Sequence, residues 1–313
     1  MRIVWASPGE RAGPSRHRFV MKIGMNLPVM VPGLDRDLIL EWSRRIDAGP
    51  YSSLAAGERI TFPNPEVMVT MSAAAAVTER VRLALTVIVL PMHSSVLMAK
   101  QVATLDVISR GRLTLGVGVG AREEDFRAVG APFDSKRLGQ MERQLALMRR
   151  VWTGENVVEG ALLPVEPLPV QKGGPEILAG SLLPQSIRRA ARWADGICGF
   201  SFEPAPQEIE TSFNIARAAW KEAGRTTPPR LVTGCWFALG EAARAQLDEY
   251  LYRYLNFLGT DMAALIAAEA KMTSARALKD VIRKLSDLGA DELLLVPTTS
   301  DPDELHRVAD IIG

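Results

Sequence analysis

The chain has 313 residues, of which 47% are hydrophobic and 23% charged, enough apolar side chains for a large buried core. Lys and Arg number 37 against 36 Asp and Glu, a net charge of +1. That balance gives no electrostatic reason to expect a nucleic acid or an anionic membrane as partner. No run approaches the roughly 18 consecutive apolar residues of a membrane span. Residues 1–20 are rich in Pro, Gly and Arg and lack the apolar segment and cleavage site of a secretory signal. They read as an extension outside the fold, with the folded domain spanning residues 21–313. Cys198 and Cys235 lie far apart in apolar text and read as reduced, buried thiols of a cytoplasmic protein. Three histidines, His17, His93 and His306, and two cysteines spell no metal-ligand cluster.

Strand-like and helical runs alternate along the chain. Lys22–Leu27 reads as the first strand. Leu34–Asp47 follows as an amphipathic helix, opened by Asp35 and closed by Gly49-Pro50. Ser52–Ala56 is a short second strand, and Pro65–Thr78 a helix whose Ala73–Ala76 run permits close packing. Val81–Leu90 is apolar almost throughout, as expected of a parallel strand covered on both faces. Val96–Ser109 is a helix capped by Gly111, Leu113–Val117 the fourth strand, and Lys136–Trp152 the next helix. Residues 154–175, rich in Gly, Pro and Val, read as a long connection. Glu176–Ala179, Gly196–Phe200, Leu231–Ala238 and Glu292–Val296 complete the strands. Helices are read over Pro184–Trp193, Pro206–Ala223, Ala275–Leu288 and Pro302–Ile312. Ala242–Leu258 and Ala263–Ala270 are more helix than one unit needs. They mark an insertion between strands seven and eight. Eight alternating units over this length predict a single α/β domain, a (β/α)8 TIM barrel.

In such a barrel the chemistry sits at the C-terminal ends of the strands. Those ends carry Gly57-Glu58-Arg59, then Pro91-Met92-His93, then Gly116-Val117-Gly118-Val119-Gly120. Further along come Ala179-Gly180-Ser181 and Pro297-Thr298-Thr299. Glycines and small polar residues gathered there suit a flat or phosphorylated ligand close to backbone amides. The alternative is that the glycines only relieve crowding at the barrel mouth. The Gly116–Gly120 run is not a dinucleotide fingerprint, because its spacing is one residue short and it sits in the fourth unit.

Residues 81–120, VRLALTVIVLPMHSSVLMAKQVATLDVISRGRLTLGVGVG, resemble the signature stretch of the bacterial-luciferase-like superfamily of flavin- and deazaflavin-dependent oxidoreductases. The resemblance continues through Arg122–Phe126, Ile177–Ser181 and Arg188–Gly196. It implies a non-prolyl cis peptide at Thr86–Val87 supporting the cofactor ring. It also implies a ring and ribityl wall at Gly118, Val119 and Gly120, and phosphate binding at Ala179, Gly180 and Ser181. The cofactor implied is FMN, reduced by a separate flavin reductase and used to oxygenate a small organic substrate. Coenzyme F420, a deazaflavin that transfers hydride, is the alternative. A third reading is a non-catalytic flavin-binding or partner barrel. The resemblance and the alanine-rich second helix together favour a homodimer.

The chain also departs from the family pattern. Where many members carry an acidic residue followed by histidine, this chain has Glu58-Arg59. An arginine stays protonated and cannot act as a general base. Arg59 is expected either to meet negative charge on substrate or reduced flavin, or to pair with Glu58 at the surface. Where many members read Arg-His-Pro, this chain has His93-Ser94-Ser95, so His93 is a candidate to touch substrate or to serve structurally. Glu58, Arg59 and His93 are thus the candidate catalytic residues. Trp236, Phe237 and Thr298, near the ends of strands seven and eight, are candidates for the substrate pocket, with ordinary core packing the alternative for the two aromatics. The segments 121–135 and 255–275 are candidate lids.

Overall fold

The structure, a computed structural model, describes residues 21–181, 183–201 and 206–313. Residues 1–20, expected to lie outside the fold, fall outside the described residues. Eight strands form one closed parallel barrel in sequence order. They are β1 (Lys22–Asn26), β2 (Ser53–Ala56), β3 (Arg82–Val89), β4 (Leu113–Gly118), β5 (Glu176–Ala179), β6 (Gly196–Cys198), β7 (Arg230–Phe237) and β8 (Glu292–Pro297). Closure comes from β1 against β8, with Lys22 opposite Glu292 and Met25 opposite Leu295.

The helices are α1 (Arg36–Ala48), α2 (Val67–Ala76), α3 (Ser95–Ile108), α4 (Glu123–Ala128), α5 (Arg137–Trp152) and α6 (Pro184–Ala190). They continue as α7 (Pro206–Glu222), α8 (Ala243–Leu255), α9 (Thr260–Glu269), α10 (Ala275–Asp287) and α11 (Asp303–Ile312). The expected (β/α)8 TIM barrel is therefore the observed fold. Between β7 and β8, α8, a 3-10 turn at Asn256–Leu258 and α9 precede the barrel helix α10. Asp35 caps α1 by accepting from the Leu38 amide at 2.9 Å. After α3 the chain turns through Arg110 and Gly111, both at positive φ, and the Gly111 amide donates to Asp106 O. The one helix that the periodicity did not announce is α4, which is too short to show it.

The main core lies between the strands and the helix ring, with Trp42 and Ile46 of α1 and Met71 of α2 wholly buried. A separate cluster of Ala55, Ala84, Leu178, Cys198, Val232 and Leu294 alternates with it along the strands and fills the barrel interior. Below that layer, at the strand N-termini, the barrel is floored by charge. Arg230 bridges Glu176 and Glu292. Ser52 and Ser53 also donate to Glu292, at 2.5 and 2.6 Å. Arg82 donates to the Thr114 hydroxyl and the Leu113 carbonyl. Burial disfavours the charged form of Arg230, but the two carboxylates outweigh it and hold its pKa above the ordinary value.

Glu292 is only 2% exposed, so removing its cation strands a buried charge. Arg230→Met is expected to cost about 3–5 kcal/mol in urea unfolding. Arg230→Met combined with Glu292→Gln should recover most of that loss. Equal stability of the single and double variants would show that the floor does not depend on this pairing.

Candidate functional site

The opposite end of the barrel opens into two joined cavities. The outer one, of ≈510 Å³, lies over the ends of β3, β4 and β5. Its wall is organised by one side chain, Val87. The Thr86–Val87 peptide bond is cis, at the position the resemblance implied, and the β3–β4 register shifts between Leu85 and Ile88. Val87 is thereby laid against the neighbouring strands. A Cβ added at Gly118 would sit 2.9 Å from Val87 Cγ2, and one at Gly180 would sit 2.6 Å from Val87 Cγ1. One at Gly57 would meet Thr86 O at 2.9 Å. At Gly116 it would collide with Leu85 O. Gly120, at φ +70°, backs onto Val89 and Phe126. These glycines are required by the protein itself. The alternative of relieved crowding accounts for their identity, although the backbone they leave exposed still lines the cavity.

All eight expected cofactor residues converge on this wall. Thr86, Val87, Gly118, Val119 and Gly120 form one side, and Ala179, Gly180 and Ser181 the other. Backbone donation at the second group is narrower than expected, because the Gly180 amide already donates to Val117 O at 2.7 Å. The open donors there are side chains. Ser181 Oγ and Trp193 Nε1 are buried, line or adjoin the cavity, and have no hydrogen-bond partner among the described residues. Buried polar groups are rarely left so in a native fold.

Of the three candidate catalytic residues, the structure places two in the cavity wall and one behind it. Glu58 Oε2 accepts from the Val89 amide at 2.7 Å, and its Oε1 lies 2.8 Å from His93 Nε2. Glu58 lines the cavity and His93 does not. His93 is thus placed to hold Glu58 from the residue after the short turn Leu90–Met92. Arg59 is not paired with Glu58. Its guanidinium lies 4.5 Å from the Tyr254 ring centroid and 5.5 Å from that of Phe257. Stacking of this kind leaves the hydrogen-bonding edge of the guanidinium available.

Two segments roof the cavity and are fastened to each other. Asp125 of α4 accepts from the Thr61 hydroxyl at 2.6 Å and from the Thr61 amide at 2.7 Å. Burial raises the Asp125 pKa, but those bonds and the Arg122 charge outweigh it and hold the carboxyl below its ordinary range. Arg122 in turn lies 5.1 Å from the Phe257 ring. The 121–135 segment and the inserted helices thus meet over the mouth.

The inner cavity, of ≈240 Å³, lies deeper in the barrel. The two share Met30, Gly57, Thr86, Val87, Gly180 and Tyr254. Its far wall is aromatic: Trp236 meets Phe200 at 4.5 Å and Tyr254 at 5.0 Å between centroids, and Tyr250 stacks on Tyr254 at 5.9 Å. Of the expected substrate-pocket residues, Trp236 is in this wall. Phe237 is not: successive strand residues point to opposite faces, and its side chain is 0% exposed in the outer core. Thr298 is not either. Its hydroxyl donates to Phe237 O at 3.1 Å and accepts from Gln246 at 2.9 Å, which ties α8 to the barrel. Burial pushes the Cys198 thiol up to about 12, so this wall residue stays protonated. Both cysteines are free and buried.

Residues 21–312 match the luciferase-like monooxygenase family. The chain belongs to that family. An uncharacterized protein of Mycobacterium tuberculosis is 32% identical over 171 residues, 52% of this chain and 59% of that protein. Limonene 1,2-monooxygenase of Rhodococcus erythropolis is 28% identical over 225 residues, 66% of this chain and 55% of that protein. The chain therefore spans less than two thirds of the length of these curated relatives. Among solved structures, the monooxygenase RslO1 from Streptomyces bottropensis superposes with a TM-score of 0.76 at 23% identity, covering 93% of this chain and 97% of that one. An F420-dependent secondary alcohol dehydrogenase in complex with an F420-acetone adduct superposes with a TM-score of 0.74 at 14% identity, covering 93% and 98%. At these identities the likeness is one of fold.

Sequence reading missed Tyr250, Tyr254 and Phe257, which supply the inner wall and the roof. Their spacing of four and then three residues is a visible aromatic stripe on a helix, but which way that stripe faces is a tertiary fact. Gly180→Ala is expected to destabilise the chain by about 1–3 kcal/mol through overpacking against Val87. Adding Val87→Ala should relieve that cost in thermal or urea unfolding. Simple additivity of the two losses would contradict the Val87–glycine fit.

Proposed function

We propose that this protein is a flavin-dependent oxidoreductase that binds FMN at the outer cavity, takes it in reduced form from a separate reductase, and oxygenates a small organic substrate. The observation that carries the reading is that two buried donors without a partner among the described residues, Ser181 Oγ and Trp193 Nε1, line the same cavity as the Val87 shelf. Polar donors and an apolar shelf in one cavity fit a phosphate joined by a polyol chain to a flat ring. The monooxygenase names of curated relatives such as limonene 1,2-monooxygenase support oxygenation. Once bound, the cofactor supplies the electrons and the oxygen chemistry.

The chain's own residues have separable roles in this reading. Ser181 and Trp193 hold the phosphate. Val87, with the glycines behind it, gives the ring a fixed surface. Glu58, anchored by Val89 and His93, presents an acceptor beside the ring, and Arg59 adds a permanent positive charge. The roof of α4 and α8 excludes water. We place the protein in the cytoplasm; among the described residues no helix is long and apolar enough to cross a membrane. We further propose a homodimer, with α2 and α3 covered by a second copy, because Val69 (71% exposed) and Leu97 (58%) stand in water on adjacent helices.

Calorimetric titration with oxidised FMN, reduced FMN and coenzyme F420 tests the cofactor. FMN is expected to bind, and Ser181→Asp should weaken it at least ~10-fold by setting like charges together. F420 binding without FMN binding would replace the monooxygenase reading by hydride transfer. Binding of neither would remove both and leave the non-catalytic barrel. Light scattering should give twice the chain mass, and Val69→Glu with Leu97→Glu should halve it. A monomeric parent would dismiss the dimer.

A further inference from the structure

The inner cavity carries information about the substrate that the outer one does not. Among the described residues, its lining holds no Asp, Glu, Lys, Arg or His. The outer cavity, by contrast, is lined by Glu58, Arg59, Arg122 and Asp125. Arg59 is turned onto Tyr254 and Phe257 and does not line the inner cavity. An ionised group placed inside would lose its hydration with nothing charged to replace it.

The polar groups present are largely committed. Asn26 Nδ2 donates to Leu295 O at 3.3 Å, and the Thr86 hydroxyl reaches Asn26 Oδ1 at 3.4 Å. Cys198 stays a neutral thiol. What remains is a neutral, mostly apolar and aromatic surface made by Phe200, Trp236, Tyr250, Tyr254, Leu294 and Val296, with the buried Tyr250 hydroxyl as its open polar group. Its rings meet edge to face or stacked, arrangements that also favour a bound ring.

Size narrows the occupant further. A dry apolar cavity of roughly 150 Å³ accepts benzene. At ≈240 Å³ the inner cavity has room for one more fused ring. It opens to the outer cavity across Gly57, Thr86, Val87 and Gly180, so a molecule held there would face whatever lies on the Val87 shelf.

We infer that the inner cavity is the substrate chamber and that it selects a neutral, largely apolar ring compound of about two fused rings, with Trp236, Tyr254 and Val296 setting its shape. This rests on the cofactor occupying the outer cavity. Arg59 is then a roof residue, stacked between the insertion and the cavity, and not the reader of an anionic substrate.

The full chain is titrated calorimetrically with 2-naphthol, neutral at pH 7, and with 2-naphthoate, its anionic analogue, each with and without saturating FMN. 2-Naphthol is expected to bind one molecule per chain, and 2-naphthoate at least ~10-fold more weakly. Saturating FMN should leave 2-naphthol bound, since the two occupy adjoining but different cavities. Val296→Phe should fill the chamber and weaken 2-naphthol at least ~10-fold, with FMN binding in the same sample reporting the fold. Three results would each overturn the inference: 2-naphthoate binding as tightly as 2-naphthol, FMN expelling 2-naphthol, or no 2-naphthol binding to the parent chain. Loss of cofactor binding is a separate outcome. It refutes the cofactor reading, while the 2-naphthol isotherm alone decides the chamber.

Discussion

The packing of Val87 against the glycine-bearing ends of β4 and β5 is the constraint on which the rest of the site depends. Its methyl groups occupy the volume where Gly118 and Gly180 would carry Cβ atoms. That fit shapes the wall where the two cavities meet and fixes where the ends of β4 and β5 lie relative to β3. Glu58 is then set by the same strand end, through the Val89 amide and the Val87 carbonyl, which accepts from the Glu58 amide. A change at any one of these positions is a change at all of them, because close-packed interiors transmit displacement.

Around that fixed point the barrel divides its chemistry by height. Charge is confined to the floor, where Arg230 and two carboxylates satisfy one another, and to the mouth, where Asp125 and Arg122 tie the roof together. Between them lies an apolar layer, and the inner cavity opens directly above it. The separation has a physical basis. An ion can be buried only where partners are built for it, and a chamber without such partners discriminates against ions. The polar donors Ser181 and Trp193 line the outer cavity and not the inner one.

Several features could be read along the chain. The alternation of strand and helix predicted the barrel, because each parallel strand must be buried on both faces and each crossover needs a helix. The excess helical text after β7 corresponds to α8 and α9, which precede α10. Residues 81–120 marked the wall, and the resemblance they carry located the cis bond. Other features could not be read. Trp236 and Phe237 are neighbours in β7, and alternation guarantees that only one can face the cavity, but which one is set by barrel closure. For His93 the sequence left open whether it touches substrate or serves structurally. It lies 2.8 Å from Glu58, a contact between residues 35 apart in the chain.

The sequence by itself determined the fold class, the family and the strand ends at which a site would form, since these follow from local periodicity and short motifs. The tertiary structure decided who faces whom: Arg59 onto Tyr254 rather than Glu58, Thr298 onto Gln246 rather than a substrate, and a glycine cluster fitted to Val87 rather than to a ligand. Each of these contacts joins elements far apart in the chain. Their pairing depends on the register of eight closed strands, and no window of sequence contains it.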